Sequence, residues 1–485
     1  MKKILILIIF SLIVIKVFPQ SAAPSTEGKE FWVTFMKNAK KGCYPNAGGD
    51  PNMEKLRLTI IARNATTGTI VNPNTGYTQN FVVGAMQVTE VTIPYNEAYT
   101  DVYGSVVSTG LVITSLDNIS IYASNQANTS FDATIVLPVR CLGKEYSITT
   151  AGTRYYLDNC GGVFAAQFAI LATTNNTRVR ITPKLATNDG KPKNVPFEIT
   201  LNRGQVYMVG AEHPAGSSQL AEYKVGLTGS WVEVVQGGQI AVFQGNSQTY
   251  ELSQSPDPQY QMKSSHTYDQ TFPIKYCGKQ LASVMIDSNP TSPIFLTITG
   301  LYDNTSIVHT SGNPFDNLNK GESNGNFYDI DAIALNADKP CTIHSTYNIN
   351  PSITMIASRE QACKDFIITT PEHGNATGAF IDIIALTAHA NSVQVNNANI
   401  YMNPIPETPE YSYGYTDILT NQVYTVTSQS GVIASVVSTN MSYGFMCSIG
   451  GSMLTQFMYI DDILSNEIAS NQKYCVDVPI DFRSE

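Results

Sequence analysis

Apolar and polar residues alternate with a period of two along most of the chain. Leu56-Arg-Leu-Thr-Ile-Ile-Ala-Arg63, Thr177-Arg-Val-Arg-Ile181, Gln205-Val-Tyr-Met-Val209 and Trp231-Val-Glu-Val-Val235 show it clearly. Such runs are short, rich in β-branched and aromatic residues, and bounded by Asn, Gly, Asp and Pro, which is the pattern of half-buried strands. They recur at the close spacing of sandwiches or barrels. The only helix candidate, Met453 to Ser470, is weakly periodic and fits a strand and turn equally well. The pattern predicts a mainly β chain.

The pattern also repeats. Leu137-Pro-Val-Arg-Cys-Leu-Gly-Lys144 matches Phe272-Pro-Ile-Lys-Tyr-Cys-Gly-Lys279, with Pro138 and Gly143-Lys144 aligning to Pro273 and Gly278-Lys279 at one offset. Ahead of each stands a pair of strands: Gly110-Leu-Val-Ile with Asn118-Ile-Ser-Ile-Tyr, and Gly229-Ser-Trp-Val with Gln239-Ile-Ala-Val-Phe. Fainter echoes of the second strand follow at Cys341-Thr-Ile-His and Gly431-Val-Ile-Ala-Ser-Val. A second echo is an apolar strand running into an Asn-Thr or Asn-Ser turn, at Asn176-Thr177, Asn304-Thr305 and Asn391-Ser392. Asn suits these turns because it tolerates left-handed dihedrals. We expect four related units, over residues 24–150, 151–285, 286–375 and 376–485. Each holds more strands than a four-stranded propeller blade, so tandem β-sandwich-like units are expected, with a propeller-like closed array as the alternative.

Residues 1–23 interrupt the β pattern. Lys2 and Lys3 precede an apolar run from Ile4 to Val17, and small residues follow at Ser21, Ala22 and Ala23. This is the anatomy of a secretory signal peptide. Export makes disulfides the default for the eight cysteines. Their connectivity is not deducible from sequence; short loops favour Cys141–Cys160, Cys341–Cys363 and Cys447–Cys475. No CxxC occurs, which removes the thioredoxin and zinc-ribbon readings.

Composition narrows the function. Only 14% of residues are charged while 10% are aromatic, so the chain is folded rather than disordered. With 29 basic against 39 acidic residues it carries no basic field for nucleic acid. No membrane span is expected beyond the leader.

Several segments resemble one known family. They are Gly28-Lys-Glu-Phe-Trp-Val-Thr-Phe35, Ile240-Ala-Val-Phe-Gln-Gly245, Asp269-Gln-Thr-Phe-Pro-Ile-Lys-Tyr-Cys-Gly-Lys279 and the Asn-Thr turn strands. Together they are similar to the N-terminal domain of IgGFc-binding protein, in its secreted bacterial form, over residues 110–450. The resemblance implies a secreted or cell-surface, non-enzymatic binding or adhesion protein. Its partner would be a host glycoprotein, immunoglobulin Fc or mucin-like. The family's animal member is mucus-associated and carries long cysteine-dense repeats that this chain lacks, so covalent mucin-like assembly is not implied. The matching motifs are structural and name no ligand-contacting residue.

Residue chemistry agrees with a non-enzyme. There is no Gly-x-Ser-x-Gly elbow, no His-Glu-x-x-His and no glycine-rich phosphate loop. His309 and His344 sit in strand-like contexts and read as ordinary strand residues. Asp461-Asp462 would point to opposite faces of a strand, and Asp329 with Asp331 fits a solvent-facing strand better than a catalytic pair. The oxygen-rich turns Asn46 to Asn52 and Tyr302 to Thr305 lack the EF-hand pattern, and no metal or cofactor is expected. Binding is better supported, because 26 tyrosines are present and some fall in polar segments. In Pro404-Ile-Pro-Glu-Thr-Pro-Glu-Tyr-Ser-Tyr-Gly-Tyr415, Tyr411, Tyr413 and Tyr415 would share one face of a proline-stiffened loop, offering rigid contact area. Ser253 to Gln270, with Tyr260 and Tyr268, reads as a second such loop. The competing functional readings are a structural cell-envelope or matrix protein and a secreted polysaccharide-acting enzyme or accessory module.

Overall fold

The computed structural model describes residues 26–449, except 43–53, 128–129, 152–164, 213–225, 251–263, 285–293, 329–331, 348–351, 372–377, 407 and 440–443. Residues 1–23, expected to be a signal peptide, together with Cys43, Cys160, Cys475, Tyr260, the Met453–Ser470 segment, Asp329, Asp331 and Asp461-Asp462 lie outside the described residues. The chain is mainly β and its ladders are antiparallel throughout.

The second unit shows the construction most plainly. One sheet runs Phe197–Leu201, Thr177–Thr182, Trp231–Gln236, Glu145–Ser147; the other runs Ser264–Gln270, Ile240–Tyr250, Ala166–Ala172, Val206–Gly210. Their inner faces enclose Tyr146, Phe168, Ile170, Val179, Ile181 and Val232, each fully buried. Alternation of Thr177 to Thr182 between buried and open positions is the expected signature of such a sheet. The tight turn before that strand uses Asn176 at φ 54°, and Asn304 at φ 55° does the same in the third unit. Asn391-Ser392 differs, because the segment Thr387–Ser392 forms a 3-10 helix.

The same plan is built four times. An opening strand crosses a long strand, or its two halves, at one landmark: Gly28 pairs with Ile119, Gly143 with Ile240 and Cys363 with Val432. In the third unit the Cys341 N–H donates to the Gly278 carbonyl at 3.0 Å. Each opening strand begins on a related tetrapeptide, Gly28-Lys-Glu-Phe, Gly143-Lys-Glu-Tyr, Gly278-Lys-Gln-Leu and Cys363-Lys-Asp-Phe. The construction therefore restarts at Gly143, Gly278 and Cys363, ahead of the starts at 151, 286 and 376 expected from sequence. Closing strands Ser130–Val136, Ser264–Gln270 and Ser352–Ile356 each lead through one 3-10 turn into the next opening strand. The landmark glycines are required by close approach: a Cβ on Gly28 would lie 2.4 Å from Pro138, and one on Gly143 2.4 Å from Pro273. The matched prolines and glycines seen in the sequence are thus partners across successive units.

The four units share a core. One apolar cluster runs from Phe31 in the first unit to Val437 in the fourth. A second joins Ile61, Tyr122, Phe131 and Ile135 of the first unit to Phe366, Ile381 and Ile383 of the fourth. Arg63 pairs across the same junction with Asp365 at 2.9 Å and, within its own unit, with Glu27 at 3.1 Å. The closing strands pack in sequence, first on second, second on third and third on fourth, and the Gly444–Ile449 closing strand of the fourth lies against that of the first. Sandwich-like units and a closed array are both present. At one sheet edge Val106–Val107, supplied by the first unit, adds to Val206–Gly210 of the second and covers its unpaired backbone.

Candidate binding surface and buried polar axis

The tyrosine segment expected to be a loop is a strand, Thr408–Ile418, paired along Gly378–Leu386. A period of two does place Tyr411, Tyr413 and Tyr415 on one face, but that face runs from interior to surface. Tyr411 and Tyr413 are 5% and 9% exposed within the main core, and Tyr411 lies under the Arg359 guanidinium at 5.9 Å. Tyr415 is 55% exposed, its ring edge-on to Phe380 at 6.5 Å. Two of the three expected contact rings are therefore core residues, since the third unit covers them. The Tyr401 carbonyl packs against Gly414, where a Cβ would stand 2.4 Å from it, and the Tyr401 side chain is 81% exposed. Leu419, just past the strand, is 63% exposed. Tyr401, Tyr415 and Leu419 are thus open apolar and aromatic residues of this part of the fourth unit. Tyr268, read as part of a loop, is instead on the Ser264–Gln270 strand and fully buried.

The expected Cys341–Cys363 bridge is absent: both thiols are free, as is that of Cys277. Cys341 belongs to the landmark pair with Gly278, whereas Cys363 opens the fourth unit beside Val432. They occupy the landmark of two different units, so closeness in sequence does not become closeness of sulfur atoms. Burial raises the Cys141 and Cys341 thiols to about 12, leaving them as inert core groups.

Sequence reasoning missed the polar interior between the closing strands. Neighbouring closing strands are joined by side chains instead of a backbone ladder. The Asp132 carboxylate accepts from the Tyr268 N–H at 2.8 Å and from Ser352 Oγ at 2.8 Å. Asp269 accepts from Thr134 Oγ1 at 2.9 Å and from the Met355 N–H at 2.8 Å. Each acid thus ties the first three units together. Tyr268 donates its hydroxyl to the Thr34 carbonyl at 2.7 Å, with its ring stacked between Phe243 and Phe35. His266 meets the Asn246 carbonyl through Nδ1, and His344 meets Gln244 at 2.8 Å. His344 is the strand residue the sequence indicated. Desolvation dominates every titration here: it lifts Asp269 to about 7 and Asp132 well above the usual carboxylate range, while His266 falls to about 4 and His344 to about 3. The one sequence signal for this interior was polar residues recurring at every second position ahead of the Pro turns, as in Ser130-Phe-Asp-Ala-Thr134, which reads equally as a solvent-facing strand.

These carboxylates are fixed by backbone donors and closed off from substrate, and this arrangement joins strands. Among the described residues no group of three His, Cys, Asp or Glu side chains converges as metal ligands. No described helix is long and apolar enough to cross a membrane.

No curated protein matches the chain. A family model described as IgGFc binding protein matches residues 132–438, from the first closing strand to the last turn of the fourth unit's long strand. With more than half of its length matched, the chain belongs to the IgGFc-binding protein family.

Proposed function

We propose that this chain is an exported binding protein, free or cell-surface, that recognises a host glycoprotein of immunoglobulin Fc or mucin type through the edge of its fourth unit. The family is a binding, non-enzymatic one. The observation that carries the site is exposure: Tyr415 on its strand, and Tyr401 and Leu419 in the flanking segments, stand open inside the segment that the family shares. Exposed tyrosines on a fixed backbone give stacking and hydrogen-bonding area at small entropic cost. Of the three tyrosines expected from sequence Tyr415 is the exposed one, and Tyr401 joins it in the proposed site. The acids Asp132, Asp269 and Asp382 are buried and serve the interior rather than a surface cleft.

The test is binding of the folded chain to immobilised Fc fragment, intact mucin and deglycosylated mucin, beside Y415A and Y401A/L419A variants. Saturable binding to one surface, weakened at least tenfold in the variants, supports the reading. Binding that survives both variants moves the site elsewhere. No binding to any of the three refutes the partner class.

A further inference from the structure

The repeat allows each junction to be compared at one position. Three residues beyond the landmark, the long strand carries Tyr122, Phe243, His344 and Ser435 in the four units. Their direct partners across the ladder are Thr59, Ala169, Thr297 and Asp382. In three units a ring stands opposite a small residue and plugs the junction with the preceding unit. Tyr122 joins the cluster shared with the fourth unit, Phe243 backs the Tyr268 ring whose hydroxyl reaches Thr34 of the first, and His344 bonds Gln244 of the second. In the fourth unit the ring is replaced by serine and the small residue by an acid.

The result is a cavity at the junction of the third and fourth units, lined by Ser283, Val284 and Ile356 on one side and Asp382, Ile433 and Ser435 on the other. It has room for about one water molecule. Asp382 is 4% exposed and its Oδ1 has no hydrogen-bond partner. The elements around it supply no compensating charge. The Gln280–Val284 strand presents Ser283, Ser352–Ile356 presents Ile356, and Tyr424–Thr439 presents Ile433 and Ser435. The Thr408–Ile418 strand places Tyr415 opposite Asp382 in register. No Lys, Arg, His or second acid lines the cavity.

We infer that the junction between the third and fourth units is a proton-held seam, shut while Asp382 is neutral and opened when its carboxyl ionises. A space for about one water cannot hydrate an ionised carboxylate, and hydrating it requires the two units to part. Desolvation alone drives the Asp382 acid well above the usual carboxylate range, in the direction the geometry demands. With the carboxyl ionising freely only in the open form, opening should increase by up to tenfold per pH unit above about pH 4.

Hydrogen exchange resolved by mass spectrometry, corrected for the intrinsic pH dependence of exchange, reads this directly on Gln280–Val284 and Gly378–Leu386. Wild type should lose at least tenfold protection there between pH 5 and pH 8, whereas D382N should stay level. A second variant, D382T, places there the small residue found opposite the ring in the first and third units, removes the acid and should also be level. Equal pH dependence in wild type and either folded variant would overturn the inference.

Discussion

Tyr268 tests whether the units are coupled through the interior. Its ring is fully buried between Phe243 at 5.6 Å and Phe35 at 5.9 Å, and its hydroxyl donates to the Thr34 carbonyl 2.7 Å away in the first unit. Replacing it by Phe preserves the stack and orphans that carbonyl, which should cost about 1–3 kcal/mol. Replacing it by Ala removes the ring as well and should cost about 3–5 kcal/mol from the cavity alone. The assay uses the chain's two tryptophans, Trp32 in the first unit and Trp231 in the second. In urea unfolding followed by fluorescence, W231F leaves only the first unit reporting and W32F only the second. Because Tyr268 bonds across the junction, Y268F should lower both reporters' stability by the same amount. A loss confined to the Trp231 reporter, or a change below about 0.5 kcal/mol in both, would refute the coupling.

Other consequences are equally specific. His344 and His266 are held neutral, so the unfolded chain takes up their protons first as pH falls below 6.5. Relative to wild type, the folding equilibrium of H344Q should therefore rise by up to tenfold per pH unit from 6.5 toward 4, and an unchanged ratio would contradict the burial argument. Asp269 has the opposite sign: its raised value favours the fold below about 4 and loses that contribution as pH climbs to about 7, so D269N should lose stability relative to wild type on acidification over that window. Gly229 has φ 85° and a Cβ there would stand 2.1 Å from the Gly321 carbonyl of the next unit; G229A should cost about 2 kcal/mol or more by chemical denaturation. Gly312 has φ 87° with open space around it, so G312A should cost only about 1 kcal/mol, which separates contact from dihedral strain. Arg63 is one-third exposed and Asp365 more than half, so D365N, which leaves the Arg63–Glu27 pair in place, should change stability by at most about 1 kcal/mol despite spanning the closure.

Much of the local structure was legible. Period-two alternation marks the strands, and the landmark strands of the first two units were visible as Gly110 to Tyr122 and Gly229 to Phe243, the first pair being one continuous strand, Leu111–Ala127. The repeat faded where its punctuation changed, at Ser358 in place of proline and Cys363 in place of glycine, so the third turn carried no recognisable signature. The tyrosine strand shows the limit most clearly: alternation placed three rings on one face, but only a partner distant in sequence decides that Tyr411 and Tyr413 are covered and Tyr415 is not. The same holds for the polar interior. Asp132 and Asp269 look like solvent-facing residues of amphipathic strands until the neighbouring closing strands bring buried donors to them. Closure itself rests on the first and fourth units meeting through the cluster of Ile61, Tyr122 and Phe131 with Phe366 and Ile381, contacts no local pattern encodes.

The closed four-unit body is the claim on which the interior, the seam and the exposed edge all depend, and solution X-ray scattering tests it most directly. Residues 24–459 closed into one compact body should give a radius of gyration of about 22 Å. Four separate sandwiches of about 100 residues strung in a line would give about 40 Å instead, and a value in that range would contradict the account.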